Sequence, residues 1–314
     1  MALNKKTELS QAKFNSIFLA RTASRQKLAG RSPRTVGEER AKDALEWTYR
    51  WGWTTPTILE LVMKSAGRSG LGNRLVKSGL LMKTQTPSGG INDTPSCILT
   101  LSKTGLEKAT ELVQSLHQYE LDPSKIKFST INHGVMIQRL TATRLNTRIS
   151  DARILKFQTQ KELAAKKTLG EKVPDAVWDL EFSDGKERKI AVELELSGKY
   201  DHEFDMFVYL SLLSLYGKNG QPAKYKGLEI YSTSAALLAR YEAAFEPGQM
   251  LQVWAKEAGK TGRWIKEEKL RIPDRNFDDQ IQFIKIDNSM LGKKPVARSI
   301  LFPSISTVFD DSLE

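Results

Sequence analysis

The hydrophobic pattern predicts a mixed α/β (α+β) protein built as two units. Helical spacing of apolar residues dominates the first 120 positions, broken by one pair of alternating segments. Strand-like alternation then dominates from 152 to 196, and the two regimes meet at Leu121-Asp-Pro-Ser, a Pro-bearing boundary. A chain of 314 residues is long enough for two cores of ordinary size.

The bulk properties narrow the classes. With 40% hydrophobic and 27% charged residues the composition is that of a soluble globular protein. No window approaches eighteen consecutive apolar residues, so no membrane insertion is expected. The segment MALNKKTELSQAKFNSIFLARTASRQ is interrupted by charge and lacks a secretory apolar stretch, which makes a cytoplasmic location the expectation. A single cysteine, Cys97, excludes a disulfide framework and a cysteine-rich zinc site. The net charge of +11 favours a polyanionic partner. Residues 1–34 form a basic arm with eight Lys/Arg against the single acid Glu8. Beside a DNA-binding unit such an arm adds phosphate contacts.

The unit at 35–120 follows. A helix beginning near Thr35 carries Ala44, Leu45, Trp47, Tyr49 and Trp51 on a broad apolar face and ends at Gly52. TTPTILELVM has a Thr cap and Pro56 in its first turn. In RSGLGNRLVKSGLL, Leu71, Leu75, Val76 and Leu80 face inward, with Arg68, Ser69, Asn73, Arg74 and Lys77 on other faces. LLMKTQT and SCILTLS alternate and are joined by the turn-rich PSGGINDTP, and TGLEKATELVQSL makes a closing helix. Three helices, a two-stranded wing and a helix are the order of a winged helix-turn-helix. The run from Ser69 to Leu81 resembles the recognition helix and first wing strand of that superfamily. Arg68, Ser69, Asn73 and Arg74 are then candidates for base edges, with Lys77 and Lys83 near phosphates. The same polar residues suit the solvated face of a protein-binding winged helix; the arm and net charge favour DNA.

The unit at 125–303 opens with KFSTINHGVMIQRLTATRLN, a helix by its Val135, Met136, Leu140 and Leu145 stripe. ARILKFQTQKEL is strand-like, and a loop then reaches Val173. VPDAVWDLEF is the next strand, SDGKERK a hairpin turn marked by Asp184-Gly185, and KIAVELELSGK the partner strand. Alternation places Glu193 and Glu195 on one face, and the hairpin brings Asp175 near them. Three buried carboxylates repel one another and lose hydration unless a divalent cation offsets both. Oxygen-only ligation suits Mg2+ or Mn2+, which with a DNA phosphodiester can activate a nucleophile and stabilise the leaving oxygen. Lys199 can stabilise charge in the transition state or position the nucleophile. An acid-x-acid on a strand also arises as a plain solvent-facing edge. A helix from Tyr200 to Tyr216, further strands in KGLEIYST, MLQVWAKE and QIQFIKID, and a helix in AALLARYEAAF complete the unit before an acidic tail at 304–314.

The order of acid, hairpin, acid-x-residue and helix resembles the PD-(D/E)xK nuclease-like core, with Glu195 standing where lysine is usual. The combination of the winged helix, Ile131-Asn132-His133, Pro174-Asp175 and Val192-Glu-Leu-Glu-Leu-Ser-Gly-Lys199 is similar to MobC-type plasmid mobilization relaxases, over residues 35 to 235. That resemblance implies metal-dependent, strand-specific nicking of supercoiled plasmid at an origin of transfer. It implies double-stranded and single-stranded plasmid DNA, an accessory mobilization protein and a coupling protein as partners. It makes His133 a metal-site or general-base candidate beside Asp175, Glu193, Glu195 and Lys199, while His117 and His202 are expected to be bystanders. The three histidines form no cluster in sequence, and the first tyrosine is Tyr49, which disfavours a three-histidine, N-terminal-tyrosine relaxase. Tyr200 is a conceivable nucleophile. No GxxxxGK[ST] run occurs, so ATP-driven unwinding is not expected. Two other readings stay open: a non-catalytic DNA-binding replication or transfer regulator on the same scaffold, and a restriction-type endonuclease cutting both strands.

Overall fold

The computed structural model describes residues 30–64, 70–87, 89, 94–114, 116–147, 152–167, 171–217, 222–257, 262–273, 280–287 and 290–291. Most of the basic arm, Arg68, Ser69 and the acidic tail lie outside the described residues.

Helix α1 (Pro33–Trp51) starts where the Ser32 hydroxyl accepts from the Thr35 N–H and ends at Gly52, whose φ of 81° is the left-handed turn that stops a helix. Thr55 caps α2 (Pro56–Val62) through the Ile58 N–H, with proline in the first turn. After α3 (Leu71–Lys77), β1 (Leu81–Gln85) and β2 (Cys97–Leu101) pair antiparallel, with Leu81 opposite Leu101. Thr54 bridges to Leu99 and widens this small sheet. Helix α4 (Lys103–Thr110) stops well short of the expected end near Leu116. The reason lies in the segment that follows. The Tyr49 hydroxyl donates to the His117 carbonyl and accepts from the His117 N–H, and Tyr119 stacks on Tyr49 at 5.8 Å. These contacts hold His117 and Tyr119 against Tyr49 of α1.

The second unit is a five-stranded mixed sheet between two helical layers. Its order is β3 (Ala152–Thr159), β4 (Ala176–Phe182), β5 (Glu187–Leu194), β6 (Gly227–Ser232) and β9 (Ile281–Lys285). The first three strands run antiparallel; β5, β6 and β9 run parallel. Alternation explains both faces. Trp178, Ile190, Val192 and Leu194 bury into the core shared with α5 (Ile131–Asn146), where the Trp178 indole N–H reaches Thr141 at 3.3 Å. Val177 and Ala191 face Phe207, Val208 and Leu212 of α7 (Asp201–Tyr216). Helix α8 (Ala235–Ala244) and the ribbon β7 (Met250–Lys256)–β8 (Trp264–Arg271) complete the described elements.

Two expectations change, and one strand lies outside the expected set. ARILKFQTQKEL is not all strand: at Thr159 and Glu162 a reciprocal capping box turns the chain into the short helix α6 (Gln160–Ala164). SDGKERK is only partly turn, since β5 already begins at Glu187. Strand β8, WIKEEKLR, shows no alternation because almost none of it is buried; it exists through its pairing with β7.

The units are joined by polar contacts around the end of α1. Arg50 Nε binds Glu162 at 2.8 Å, its guanidinium donates to the Phe157 carbonyl and lies 3.8 Å over the Phe157 ring. The Trp47 indole donates to Gln138, Gln138 donates to the Trp53 carbonyl, and the Thr159 hydroxyl donates to the Arg50 carbonyl. Inside the second unit, Arg144 reaches from α5 to Glu229 at 2.5 Å and Tyr231 at 2.7 Å on β6. Both charged partners are buried, so removing one strands the other away from water. Glu229→Ala is therefore expected to lower unfolding free energy by about 3–5 kcal/mol, whereas Arg144→Met with Glu229→Leu recovers most of it. Urea denaturation followed by tryptophan fluorescence measures both.

Candidate active site

Asp175 stands one residue before β4, opposite the end of β5. Its Oδ2 accepts from the Leu194 N–H at 2.8 Å and lies 3.1 Å from His133 Nε2, while Oδ1 is 3.4 Å from the Gln160 amide nitrogen. His133 Nε2 is also 3.0 Å from the Leu194 carbonyl. One carboxylate thereby ties the start of α5, α6 and the end of β5 to a single point. Burial opposes the charged imidazolium, but the Asp175 hydrogen bond and charge, with the Leu194 carbonyl and Glu195, outweigh it and raise the His133 pKa. Gly134 follows His133 because a Cβ there would lie 2.6 Å from the Trp53 ring.

The two glutamates part company. Glu193 is buried and its Oε1 meets Lys172 Nζ at 2.7 Å. Lys172 also donates to the Ser211 hydroxyl at 2.9 Å and sits 3.4 Å above the Phe207 ring, on the α7 side of the sheet. Burial, with the charges of Asp175 and Glu195 added to it, raises Glu193 to about 7 against the opposing pull of Lys172. Glu195 lies past the last residue of β5, its N–H donating to the Tyr231 carbonyl at 2.8 Å and its carboxylate paired with Lys199. The strand stops at Leu194, yet Lys199 as well as Lys172 lies over the Phe207 ring, so both glutamates pair on the α7 side as alternation predicts, and only Glu195 reaches the cleft.

Asp175, Glu195, Lys199 and His133 line a cleft of about 580 Å³ that Trp51 and Trp53 of the first unit close from the other side. Glu193 is not on its wall. Among the described residues, no group of three or more His, Cys, Asp or Glu side chains is arranged to hold a metal ion. Asp175 and Glu195 do share the cleft, however. Magnesium keeps several waters and is commonly held by one or two carboxylates plus substrate phosphates, so this pair suits it once Lys199 releases Glu195.

Of the DNA-contact candidates, Asn73, Arg74 and Lys77 are exposed on α3 and Lys83 is exposed on β1. His117 packs on Tyr49 at 4.4 Å, and His202 stacks on Trp264 at 5.0 Å, both outside the cleft. Lys172, Gln160, Lys161 and Trp53 were not singled out by pattern. Lys172 and Trp53 lie in loops, where periodicity says nothing, while the Thr-x-x-Glu capping box at 159–162 was the available signal for Gln160 and Lys161.

Comparison with protein-family models, with curated proteins and with solved structures returned no match.

The Glu193 environment sets a pH dependence. Between its ordinary 4.5 and about 7 the folded chain holds a proton on Glu193 that the unfolded chain has released. This group therefore lowers stability as pH rises through that window. Relative to wild type, Glu193→Gln is expected to show a flatter stability profile there, read from denaturation midpoints at stepped pH.

Proposed function

We propose that this chain is a metal-dependent DNA-nicking enzyme of the plasmid-mobilization relaxase type. One observation carries the reading: the Asp175 carboxylate is hydrogen-bonded to the Leu194 N–H, which places it beside Glu195 in a cleft. The supporting frame is a mixed sheet in which an acid precedes the second strand and another follows the third, with helices α5 and α7 on opposite faces. That arrangement resembles a PD-(D/E)xK core, with Glu195 in the place where lysine is usual. The helices and wing-like hairpin of residues 33–110, with exposed Asn73, Arg74, Lys77 and Lys83, suit a winged-helix DNA reader, and the net charge of +11 suits its polyanionic partner.

In this reading Asp175 and Glu195 hold Mg2+ or Mn2+, which when bound supplies nucleophile activation and charge stabilisation at the scissile phosphate. His133 orients Asp175 through Nε2 and can hold or release a proton beside it. Lys199, one-third exposed, is free to swing from Glu195 toward the phosphate as the ion binds. Lys172 neutralises Glu193 behind the cleft and keeps the end of β5 in place. An accessory mobilization protein and a coupling protein are the partners this function calls for.

A second reading has its own observation. Glu193 and Glu195 are each already matched by a lysine, as a scaffold without metal would need. It makes the chain a non-catalytic DNA-binding replication or transfer regulator.

Supercoiled plasmid carrying the candidate origin, incubated with magnesium or manganese, separates the two. Open-circular product is expected with wild type, reduced on the order of a hundredfold or more in Asp175→Asn and Glu195→Gln. Retained DNA binding with no relaxation under either metal would establish the regulator instead.

A further inference from the structure

Among the described residues, the cations at and behind the cleft are matched by carboxylates with one exception. Arg50 is held by Glu162, Lys172 by Glu193 and Lys199 by Glu195. Lys161 is not. It lines the cleft on the wall formed by α6, and its terminal atoms cross the end of α1 at Gly52, where a Cβ would lie 2.2 Å from Nζ. Among the described residues its ammonium forms no ion pair and no hydrogen bond. Glu120 is the carboxylate whose field reaches it, and Glu120 is itself bound to Lys125 at 3.1 Å. The C-terminal end of α1 offers the ammonium partial negative charge, which offsets only part of the cost of its burial. A half-buried ammonium without a counter-ion is a net cost to folding. Burial accordingly depresses the Lys161 pKa.

Lys161 also stands apart from the carboxylates. Glu195 and Asp175 act on His133, and Glu195 on Lys172, whereas the charged and titratable groups coupled to Lys161 are Glu120 and His117. The cleft thus has an acidic end at Asp175 and Glu195 and a cationic end at Lys161. Gln160 spans them, with its side chain toward Asp175 and its neighbour toward Gly52.

We infer that Lys161 is a phosphate-binding residue, anchoring a backbone phosphodiester of the nucleic acid that flanks the phosphate at Asp175 and Glu195. This rests on the cleft being a DNA site. The ammonium completes its pairing only when that phosphate arrives, which gives a physical reason for a lone cation in a partly buried wall. Gly52 serves it twice, by its left-handed turn and by the space that its missing Cβ leaves.

The test is binding without cleavage. Full-length wild type, Lys161→Met and Lys161→Arg are titrated against a fluorescein-labelled duplex carrying the candidate origin, in EDTA, over a salt series. Lys161→Met keeps the Thr159–Glu162 capping box and the side-chain bulk, and a melting temperature at or above that of wild type verifies its fold. The expected result is several-fold weaker binding and a salt slope shallower by about 0.9, the value for one phosphate contact. Lys161→Arg restores both. If Lys161→Met matches wild type in affinity and slope, the inference is wrong, and nicking by the wild type leaves the proposed function standing. If inorganic phosphate stabilises wild type but not Lys161→Met while the slopes stay equal, the ligand is a free phosphate and the nucleic-acid assignment falls. If wild type binds no duplex, both this inference and the DNA-cutting reading are overturned.

Discussion

The contact on which the rest depends is the one Arg50 makes. A guanidinium offers several N–H donors in a rigid plane, so one side chain bonds a carboxylate and a carbonyl and still covers an aromatic ring. Arg50 does all three, at Glu162, at Phe157 and over the Phe157 ring. Because Glu162 also closes the capping box of α6, the same carboxylate that fixes α1 fixes the turn that leads to Gln160 and Lys161. The cleft therefore has walls from two units that cannot be displaced separately without exposing a buried charge.

Within the second unit the charges are arranged in depth. Glu193 and Lys172 are sealed on the α7 side, where burial makes each charge costly and their attraction, with Ser211 and the Phe207 face, offsets that cost. Glu195 and Lys199 sit one step further along the chain, at the edge of the cleft. Asp175 faces neither lysine but a backbone N–H and an imidazole. Three acids that look equivalent in sequence thus occupy three environments, and only two of them meet the same solvent-filled space.

Much of the fold was legible because burial imposes a period. The apolar stripe of α1, the cap at Thr55, and the alternation of Trp178, Leu180, Ile190 and Val192 all follow from local rules acting on residues with a dry side and a wet one. Where that condition fails, so does the reading. Strand β8 has no dry side, and α4 yields its last turns to contacts between Tyr49 and His117, 68 residues apart. Asp175, Glu195, Lys199 and His133 were recognisable as residue types in an order, but the partner of each was not.

The sequence by itself determined the strands and helices that bury a face, the order of acids, histidine and lysines, and the positive charge of the chain. Only the tertiary structure decided which carboxylates share a cleft, that Glu193 turns to Lys172 from a loop, and that Lys161 comes to rest over Gly52. The reason is physical. Periodicity records which side of an element is dry, whereas the pairing of charges depends on which distant side chains are close enough to compete with water.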